Sequence, residues 1–565
     1  MSFIYMMKIF SIRRRPAAVF FFLCFASLCP AQNAAPPSRP AGSSAEERPT
    51  DQKAFQEAMR TVDLQKKQAA LDAFVKAYPK SASVKTAQWE ALSALIKSRP
   101  EQKQDILRRA EKLLKGTRGS TRSRYCNSIA TALADAGIFL DQAEQYARKG
   151  IKATNQSKYL AEQRADYLRR KQTAPPQSSM IKRYQTTLAG SQATLGRILW
   201  KLGRKEEAEK WLTTAYAVNQ TLDAASFLAL AELSEAKGRK AEALDYLVQS
   251  RLSGKISADG RKKFAELYRD THQGSTEGME EFLDARYSQL YPNPVKHEKF
   301  SPTASRSDRV VLAELYTGAG CPPCAGADLA FDAAMERYSR SELAVVVYHL
   351  HVPRPDPMTN PDTVARGKQV QVRGTPSYAI DGKLSVGGGG RDESQEFFEE
   401  RLRKPIDQRL EEPAQAKLSL EAVRDGKSVR VKASVPEIKA PSPDLQLQIA
   451  LVENQIRYSG ENGIRNHAMV VRSLAGFKMD GSLSAGIEHS FDLEKIEQDL
   501  KVYLDKFENE NERFGKFSFL EKKSRIHREQ LGVVAFLEDA KSKTVLQAVQ
   551  MMLPAKKEGK SESEE

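Results

Sequence analysis

The spacing of apolar residues changes at about residue 300, and this change limits the folds that the chain can adopt. From about residue 51 to 290, apolar residues recur every three or four positions, which is the period of an amphipathic helix. Residues 305–410 instead follow a strand–helix–strand order, and residues 415–554 alternate between apolar and polar positions. The sequence therefore predicts a multidomain chain with an all-α helical array, an α/β domain and a β-rich, sandwich-like domain.

The helical region contains an internal repeat. Residues 203–212 recur as residues 238–247, so the second copy begins 35 residues after the first, and residues 137–146 form a looser copy. The region resembles tetratricopeptide repeats, whose helix pairs recur about every 34 residues. Ala208 and Ala243 are small enough to let neighbouring helices approach closely. Trp211 and Tyr246 are large enough to fill the space between the helices. The resemblance implies protein or peptide partners for the array, and a helical scaffold with no dedicated ligand is the alternative.

Residues 305–410 carry the pattern of a parallel sheet. Arg309 to Tyr316 is rich in β-forming residues, and Leu343 to Leu350 is a nearly continuous apolar run that suits a strand buried on both faces. A helical segment, Ala325 to Tyr338, lies between them. In residues 415–554, period-two alternation interrupted by Gly, Pro and Asp turns predicts an antiparallel sandwich.

The N-terminus has the pattern of an export signal. Lys8 and Arg13 to Arg15 form a basic region, and the apolar block from Ala17 to Leu28 follows it. This block is shorter than the roughly twenty residues that a membrane span needs. We expect residues 1–31 to be a signal peptide for the periplasm or cell envelope, with a retained signal anchor as the alternative. Two further segments are expected to lack fixed structure: the linker at residues 32–50 and the tail at residues 555–565.

The cysteines do not form a disulfide framework. Cys24 and Cys29 lie within the predicted signal, which leaves Cys126, Cys321 and Cys324 in the mature chain. Because three cysteines cannot all pair within one chain, the folded regions must depend on hydrophobic cores.

Reactive groups concentrate at Cys321-Pro322-Pro323-Cys324, between a predicted strand and a predicted helix. Residues i and i+3 on the first turn of a helix face one way, so the two sulfurs come within bonding reach. The helix N-terminus favours a thiolate, which attacks disulfides, and the second sulfur then resolves the mixed disulfide. We expect Cys321, at the exposed end, to be the nucleophile and Cys324 to be the resolving thiol. A structural metal pair and an inert relic are the alternatives.

A second motif lies at residues 373–382, where Pro376 follows Thr375 and opens a short strand. Together with the cysteine pair, this motif resembles the thioredoxin fold, and exported thiol–disulfide oxidoreductases in particular. The resemblance implies a cis Thr375–Pro376 bond that faces the cysteines, with backbone groups of Thr375 offered to a bound substrate. It also implies a buried acid on the preceding strand, for which Glu314 is the candidate. Proton transfer to Cys324 is the role considered for Glu314, and a simple salt bridge is the alternative.

Two features depart from that family pattern. Gly320 stands where tryptophan commonly precedes the first cysteine, and a Pro-rich loop at residues 349–360 follows the central strand. The combination is similar to a group of exported bacterial proteins, often called outer-membrane proteins, in which a β-rich domain follows a thioredoxin-like domain. Residues 464–473 are similar to a segment of that second domain. His349 and His351 share one strand face, so copper or zinc capture with the cysteines is an alternative to ordinary hydrogen-bonded histidines.

Charge and motif content exclude several function classes. The chain has 88 Lys and Arg against 72 Asp and Glu, and this net charge of +16 is diffuse, which favours a solvated basic surface over a nucleic-acid site. Walker, GxGxxG, HExxH and nucleophile-elbow motifs do not occur, and Gly387 to Gly390 reads as a flexible loop. We therefore expect no cofactor, no metal and no nucleic-acid partner, and peripheral association with the envelope remains compatible with the charge.

The sequence as a whole predicts an exported thiol–disulfide oxidoreductase. The Cys321–Cys324 pair would exchange disulfides with protein clients, while the helical repeats recruit partners and the β-rich domain completes the binding surface or attaches to the envelope. The competing hypothesis is a non-enzymatic envelope adaptor in which the thioredoxin fold is mainly structural. The direction of exchange stays open, because oxidation, reduction and isomerisation use the same thiols and differ in potential.

Overall fold

A computed structural model describes residues 50–478 and 486–554 of the chain. Three predicted segments lie outside the described residues: the signal peptide at 1–31, all but the last residue of the linker at 32–50, and the tail at 555–565. Their export and flexibility therefore stay predictions. Across the two described ranges, no helix is both long enough and apolar enough to cross a membrane.

The N-terminal half of the described chain is helical, as predicted. Several helices begin at a side chain that accepts a backbone N–H of the first turn, as Asp63, Asn155, Asp223 and Ser257 do. The helices are α1 (Thr50–Arg60), α2 (Leu64–Ala77), α3 (Val84–Ser98), α4 (Lys103–Leu114), α5 (Gly119–Ala136), α6 (Leu140–Lys152), α7 (Gln156–Arg169), α8 (Gln177–Lys201), α9 (Lys205–Val218), α10 (Ala224–Ala236), α11 (Lys240–Leu252), α12 (Ala258–Thr271) and α13 (Met279–Leu290).

The two copies of the repeat form equivalent junctions between helices. Gly203 precedes α9 with φ of 78° and Gly238 precedes α11 with φ of 74°, a backbone conformation that favours glycine. Ala208 and Ala243 are both completely buried in the core that the helices share. The small side chains thus lie where α9 and α11 pack against their neighbours, as the repeat predicts.

A mixed α/β region follows the helical region. Its main sheet has eight strands in the order β13-β12-β7-β10-β2-β1-β3-β4. β1 and β2 are parallel and buried along their whole length, whereas β3 runs antiparallel to β1. The strands of this sheet are β1 (Val311–Thr317), β2 (Leu343–His349), β3 (Ser377–Ile380), β4 (Lys383–Val386), β7 (Leu445–Glu453), β10 (Val470–Lys478), β12 (Leu531–Asp539) and β13 (Val545–Met552).

Residues 305–410 and 415–554, which we predicted as two domains, contribute strands to this one sheet. β10 lies beside β2 in parallel orientation, with Val470 opposite Val347. β10 thereby supplies a hydrogen-bonding neighbour to a strand whose side chains are buried on both faces. The predicted boundary near residue 410 is therefore not a boundary of the sheet.

A two-sheet packing is nevertheless present in the C-terminal region. A three-stranded antiparallel sheet, in the order β11-β6-β5, shares an apolar core with β7, β12 and β13 of the main sheet. Two very short strands, β8 and β9, pair with each other alone. These strands are β5 (Ala416–Asp425), β6 (Ser428–Ile438), β8 (Ile456–Arg457), β9 (Asn466–His467) and β11 (Ile487–Asp492).

Five further α-helices surround the sheets in the described part of this region. α14 continues directly from the cysteine turn, and its Ala and Phe side chains pack in the core beneath the main sheet. A single turn of π-helix, Phe398–Arg403, joins α16 to α17. The helices are α14 (Ala325–Arg337), α15 (Pro361–Gln369), α16 (Ser394–Phe397), α17 (Lys404–Glu411) and α18 (Leu493–Glu510).

Candidate functional site

The cysteine pair lies between the end of β1 and the start of α14. Pro322–Cys324 forms one 3-10 turn with Cys321 at its cap, and the N–H of Cys324 donates to the carbonyl of Cys321 over 2.9 Å. Pro322 fits the first position of this turn, where a backbone N–H would have no helical acceptor. The two sulfurs form a disulfide of 2.03 Å, with Cα atoms 5.3 Å apart. The pair therefore has the bonding geometry that its spacing predicts.

The Thr375–Pro376 segment lies against the cysteine pair. The Thr375–Pro376 bond is cis, as the sequence resemblance implies. The hydroxyl oxygen of Thr375 lies 3.4 Å from Sγ of Cys321 and 2.9 Å from the carbonyl oxygen of Val352. The side chain of Thr375 is thus within reach of Sγ of Cys321.

The glycine run that we read as a flexible loop is packed between the two motifs. The N–H of Gly389 donates to the carbonyl of Pro323 over 2.8 Å, and Gly326 donates to Gly389 over the same distance. A Cβ at Gly388 would collide with the Pro323 carbonyl and with the ring of Pro376. Glycine is therefore required here by close approach, which composition alone does not reveal.

Both cysteines are buried, contrary to the prediction that Cys321 occupies an exposed end. Cys321 is 1% exposed and Cys324 is fully buried. A loop between β8 and β9 covers the turn that precedes them, and the N–H of Asn462 in this loop donates to the carbonyl of Ala319 over 3.0 Å. Asn462 lies far along the chain, so no local pattern around the cysteines could have predicted this contact.

A buried histidine–carboxylate pair is hydrogen-bonded to the loop that precedes Cys321. Nδ1 of His349 lies 3.0 Å from Oδ2 of Asp356, and the same oxygen accepts the N–H of Ala319 over 2.6 Å. Burial acts to raise the pKa of Asp356, but His349 and the backbone N–H groups of Ala319 and Met358 outweigh it and lower the pKa to about 2. Asp356 is therefore an ionised anchor for the residues just before Cys321, and the sequence analysis did not identify it.

Asp328 is a second buried carboxyl near the pair. It lies four residues after Cys324 on continuous helix, and residues at this spacing face the same side. Its Oδ2 accepts a hydrogen bond from the side-chain amide of Asn462 over 3.1 Å. Burial raises the pKa of Asp328 to about 7, against the opposing effects of His349 and of the hydrogen bonds. Asp328 can therefore gain or lose a proton near neutral pH. Its spacing from Cys324 was the available sequence signal.

Glu314 has a different partner from the one considered. Its Oε1 lies 3.0 Å from Nη2 of Arg366 and accepts the hydroxyl of Tyr316 over 3.1 Å. Arg366 also binds Glu538 of β12 over 2.7 Å, so one buried guanidinium joins two carboxylates. The simple salt bridge, which was the alternative for Glu314, is the contact present. The role of Glu314 in moving the proton of Cys324 stays a prediction.

The two histidines of the Pro-rich loop region have ordinary partners. Nδ1 of His351 accepts the N–H of Asp356 over 2.9 Å, and its ring stacks on Phe507 with centroids 3.6 Å apart. The ring of His349 lies 5.0 Å from that of His467, a residue of the 464–473 segment. Within residues 50–478 and 486–554, no group of three or more His, Cys, Asp or Glu side chains is arranged to hold a metal ion. These contacts favour the hydrogen-bonded histidines over metal capture.

The helical region carries a cleft lined largely by polar side chains. This cleft has a volume of about 1240 Å³ and is lined by α5, α7 and α8. Its lining includes six arginines, three tyrosines and four carboxylates: Arg118, Arg124, Arg169, Arg170, Arg183, Arg197, Tyr159, Tyr167, Tyr184, Asp135, Glu162, Asp166 and Asp223. Cys126, the remaining cysteine of the predicted mature chain, is buried nearby in the helical core, and burial raises the pKa of its thiol.

Comparison with known proteins adds no assignment, since neither a protein-family model nor a curated protein matches this chain.

Proposed function

We propose that this protein is an exported thiol–disulfide oxidoreductase with a thioredoxin-like fold, which exchanges disulfides with protein clients. The observation that carries the proposal is the Cys321–Cys324 disulfide at the start of α14, beside the cis Thr375–Pro376 bond. A helix start favours a thiolate, and a neighbouring hydroxyl stabilises one. The mixed sheet with β1 and β2 at its centre and α14 beneath it supports the thioredoxin-like assignment.

Cys321 would act as the nucleophile and Cys324 as the resolving thiol. In the reducing direction, the Cys321 thiolate attacks a client sulfur, the client disulfide breaks, and the second client sulfur leaves as a thiolate that takes up a proton. Cys324 then attacks Sγ of Cys321 and releases the first client sulfur. The client gains two electrons and the cysteine pair loses two. Oxidation of a client is the same sequence in reverse.

Asp328 would accept the proton of Cys324 before that thiol attacks. The two residues lie one helical turn apart, and both are buried. Because burial raises the pKa of Asp328 to about 7, its carboxylate is available as a base at neutral pH. We therefore assign acceptance of the Cys324 proton to Asp328 in place of Glu314.

The helical region would recruit clients or redox partners. The matched junctions at Gly203 and Gly238 support a tetratricopeptide-like array. The cleft that α5, α7 and α8 line offers arginine, tyrosine and carboxylate side chains, a mixture that suits a polar protein segment.

The test is a comparison of cysteine variants on non-reducing gels of envelope extract. Cys324→Ser should accumulate mixed disulfides with clients, because attack proceeds and resolution does not. Cys321→Ser should form none, and the matched control Cys126→Ala should resemble wild type. Identical, client-free behaviour of all three variants would contradict the proposal. The reduction potential of the purified protein would then set the direction, with roughly −120 mV indicating an oxidant and roughly −270 mV a reductant.

A non-enzymatic envelope adaptor is the second candidate, and the burial of both cysteines favours it. Cys321 is 1% exposed, so its sulfur cannot meet a client disulfide without a local change in structure. In this case the disulfide would only brace the turn between β1 and α14. The rate at which iodoacetamide labels Cys321 after reduction distinguishes the candidates, since an adaptor has no need for a reactive thiolate.

A further inference from the structure

The segment Ile456–His467, which we name the cover hairpin, lies over the residues that precede the disulfide. It consists of β8, β9 and the loop between them. The N–H of Asn462 donates to the carbonyl of Ala319 over 3.0 Å, and the Asn462 amide reaches Asp328 over 3.1 Å. Gly460 packs so closely that a Cβ there would lie 2.7 Å from the same Ala319 carbonyl. The cover hairpin therefore contacts both the cysteine loop and the buried carboxyl beside Cys324.

The opposite side of the cover hairpin is bound by helix α13. The guanidinium of Arg465 is 1% exposed and lies 2.6 Å from Glu280 and 2.6 Å from Asp284. Arg457 adds contacts of 2.8 Å to Glu281 and 2.7 Å to Asp284. Three acidic side chains of one helix thus hold two arginines of the hairpin. These charge-assisted hydrogen bonds are the strongest type available between the two elements.

The backbone of the cover hairpin also contacts the helical region. The hydroxyl of Tyr287 on α13 donates to the carbonyl of Gly463 over 3.1 Å. Gly254, at the end of α11, meets Gly460 so closely that a Cβ on Gly254 would collide with its backbone. The tip of the hairpin is thus enclosed between the helical region and the cysteine loop.

The cover hairpin is held internally by backbone hydrogen bonds, among them Tyr458 N–H to the Arg465 carbonyl and Gly460 N–H to the Ile464 carbonyl, both over 2.8 Å. Its two strands share two residue pairs, Ile456 with His467 and Arg457 with Asn466. The tip, residues 460–463, has the sequence Gly-Glu-Asn-Gly and contains no apolar side chain. Segments with few apolar contacts open locally at a smaller free energy than the core strands. The position of the tip therefore depends on its neighbours, whereas the sides of the hairpin have apolar anchors in Ile456, beside Ala319, and Ile464, beside Ala325.

We propose that the cover hairpin is a gate over the Cys321–Cys324 disulfide and that α13 holds this gate closed through Arg465. The proposal rests on the proposed function, because a gate matters only where a partner thiol must reach the sulfurs. The helical region would then have a second function, which is to control access to the disulfide. Small and protein-sized thiols alike would be excluded in the closed position, and opening would admit them.

The test measures how fast dithiothreitol reduces the disulfide in the full chain. Dithiothreitol donates two electrons and two protons to the pair and closes its own disulfide, so the step balances without another reactant. Samples are quenched with N-ethylmaleimide, and the mass of the labelled protein gives the reduced fraction. In wild type we expect the rate to level off at high dithiothreitol, where opening becomes limiting. Glu280→Gln with Asp284→Asn should raise that limiting rate by roughly tenfold, since Arg465 loses both partners.

Asp245→Asn is the matched control. Asp245 binds Arg286 of the same helix over 2.9 Å and touches no residue of the cover hairpin among its described contacts. This variant should reduce at the wild-type rate. Equal limiting rates in wild type and the double variant, or a rate that stays proportional to dithiothreitol throughout, would overturn the gate.

Hydrogen exchange provides a second measurement that needs no variant. The amide of Asn462, which is bonded to Ala319, should exchange faster than the amides of β1, at a rate close to the limiting reduction rate. Exchange of this amide only through global unfolding would overturn the proposal. A gate that opens in a protein with no client complexes would disprove the proposed function alone. Client complexes with unchanged reduction kinetics would disprove the gate alone.

Discussion

The hydroxyl of Thr375 and Sγ of Cys321 lie 3.4 Å apart, although the two residues belong to separate motifs of the chain. In the disulfide, this hydroxyl has the Val352 carbonyl as its closer acceptor, at 2.9 Å. Reduction would create a thiolate at Cys321, which is a stronger acceptor than a carbonyl oxygen. Thr375 is therefore positioned to stabilise the reactive form of Cys321.

We expect Thr375→Val to weaken the Cys321 thiolate. A hydrogen bond to a charged group contributes about 1.5–3 kcal/mol, so its loss should raise the pKa of the Cys321 thiol by about one or two. The measurement is the pH dependence of iodoacetamide labelling in protein that also carries Cys324→Ser and Cys126→Ala. Thr375→Ser keeps the hydroxyl and serves as the control. Superimposable labelling profiles for the Val and Ser variants would contradict the assigned role.

Asp328→Asn should change how stability depends on pH. Burial raises the pKa of Asp328 from 3.8 to about 7, so the folded protein keeps this proton between pH 4 and 7 while the unfolded chain loses it. The free energy of unfolding therefore falls as pH rises through this window, by about 3 kcal/mol between pH 5 and 8 from this group. Asparagine cannot ionise, so the variant should lack this part of the loss. Urea unfolding at both pH values measures it, with the exposed Asp392→Asn as the control.

Glu314→Gln should separate stability from redox activity. The change removes one carboxylate from Arg366, which keeps Glu538 as a partner, so we expect a loss of about 1–3 kcal/mol in the free energy of unfolding. The pH dependence of disulfide exchange should stay that of wild type, because Glu314 contacts Arg366 and Tyr316 rather than the cysteines. A shifted pH profile would restore the proton-transfer role to Glu314.

Overpacking tests the equivalence of the repeat junctions. Ala208→Leu and Ala243→Leu each add a branched side chain at a completely buried position, so each should cost about 1–3 kcal/mol. Ala241→Leu, at an exposed position of α11, provides the control and should change little. Thermal melting of the three variants measures the difference. Equal melting of the Ala243 and Ala241 variants would argue against close packing at the repeat.

The sequence predicted those features that depend on local pattern. The run from Leu343 to Leu350 became β2, and the glycines of the repeat mark the turns before α9 and α11 because only local backbone preferences decide them. The disulfide followed from helical spacing. Strand partners did not follow: the alternation in residues 445–453 predicted one exposed face, whereas every residue of β7 except Gln446 is buried between neighbours that the pattern does not reveal. The contact of Asn462 with Ala319 and the position of Asp356 likewise arise from contacts between separate segments.

The pairing of β10 with β2 limits how the chain can be divided. A fragment that ends near residue 410 would keep both cysteines and the cis Thr375–Pro376 bond but lose Val470, the partner of Val347. β2 would then have a bare row of N–H and C=O groups in a strand that is buried on both faces in the whole protein. Such an edge recruits other chains, so the fragment would self-associate. If related proteins exchange segments during evolution, the cysteine-bearing segment and β10 must be exchanged as one unit.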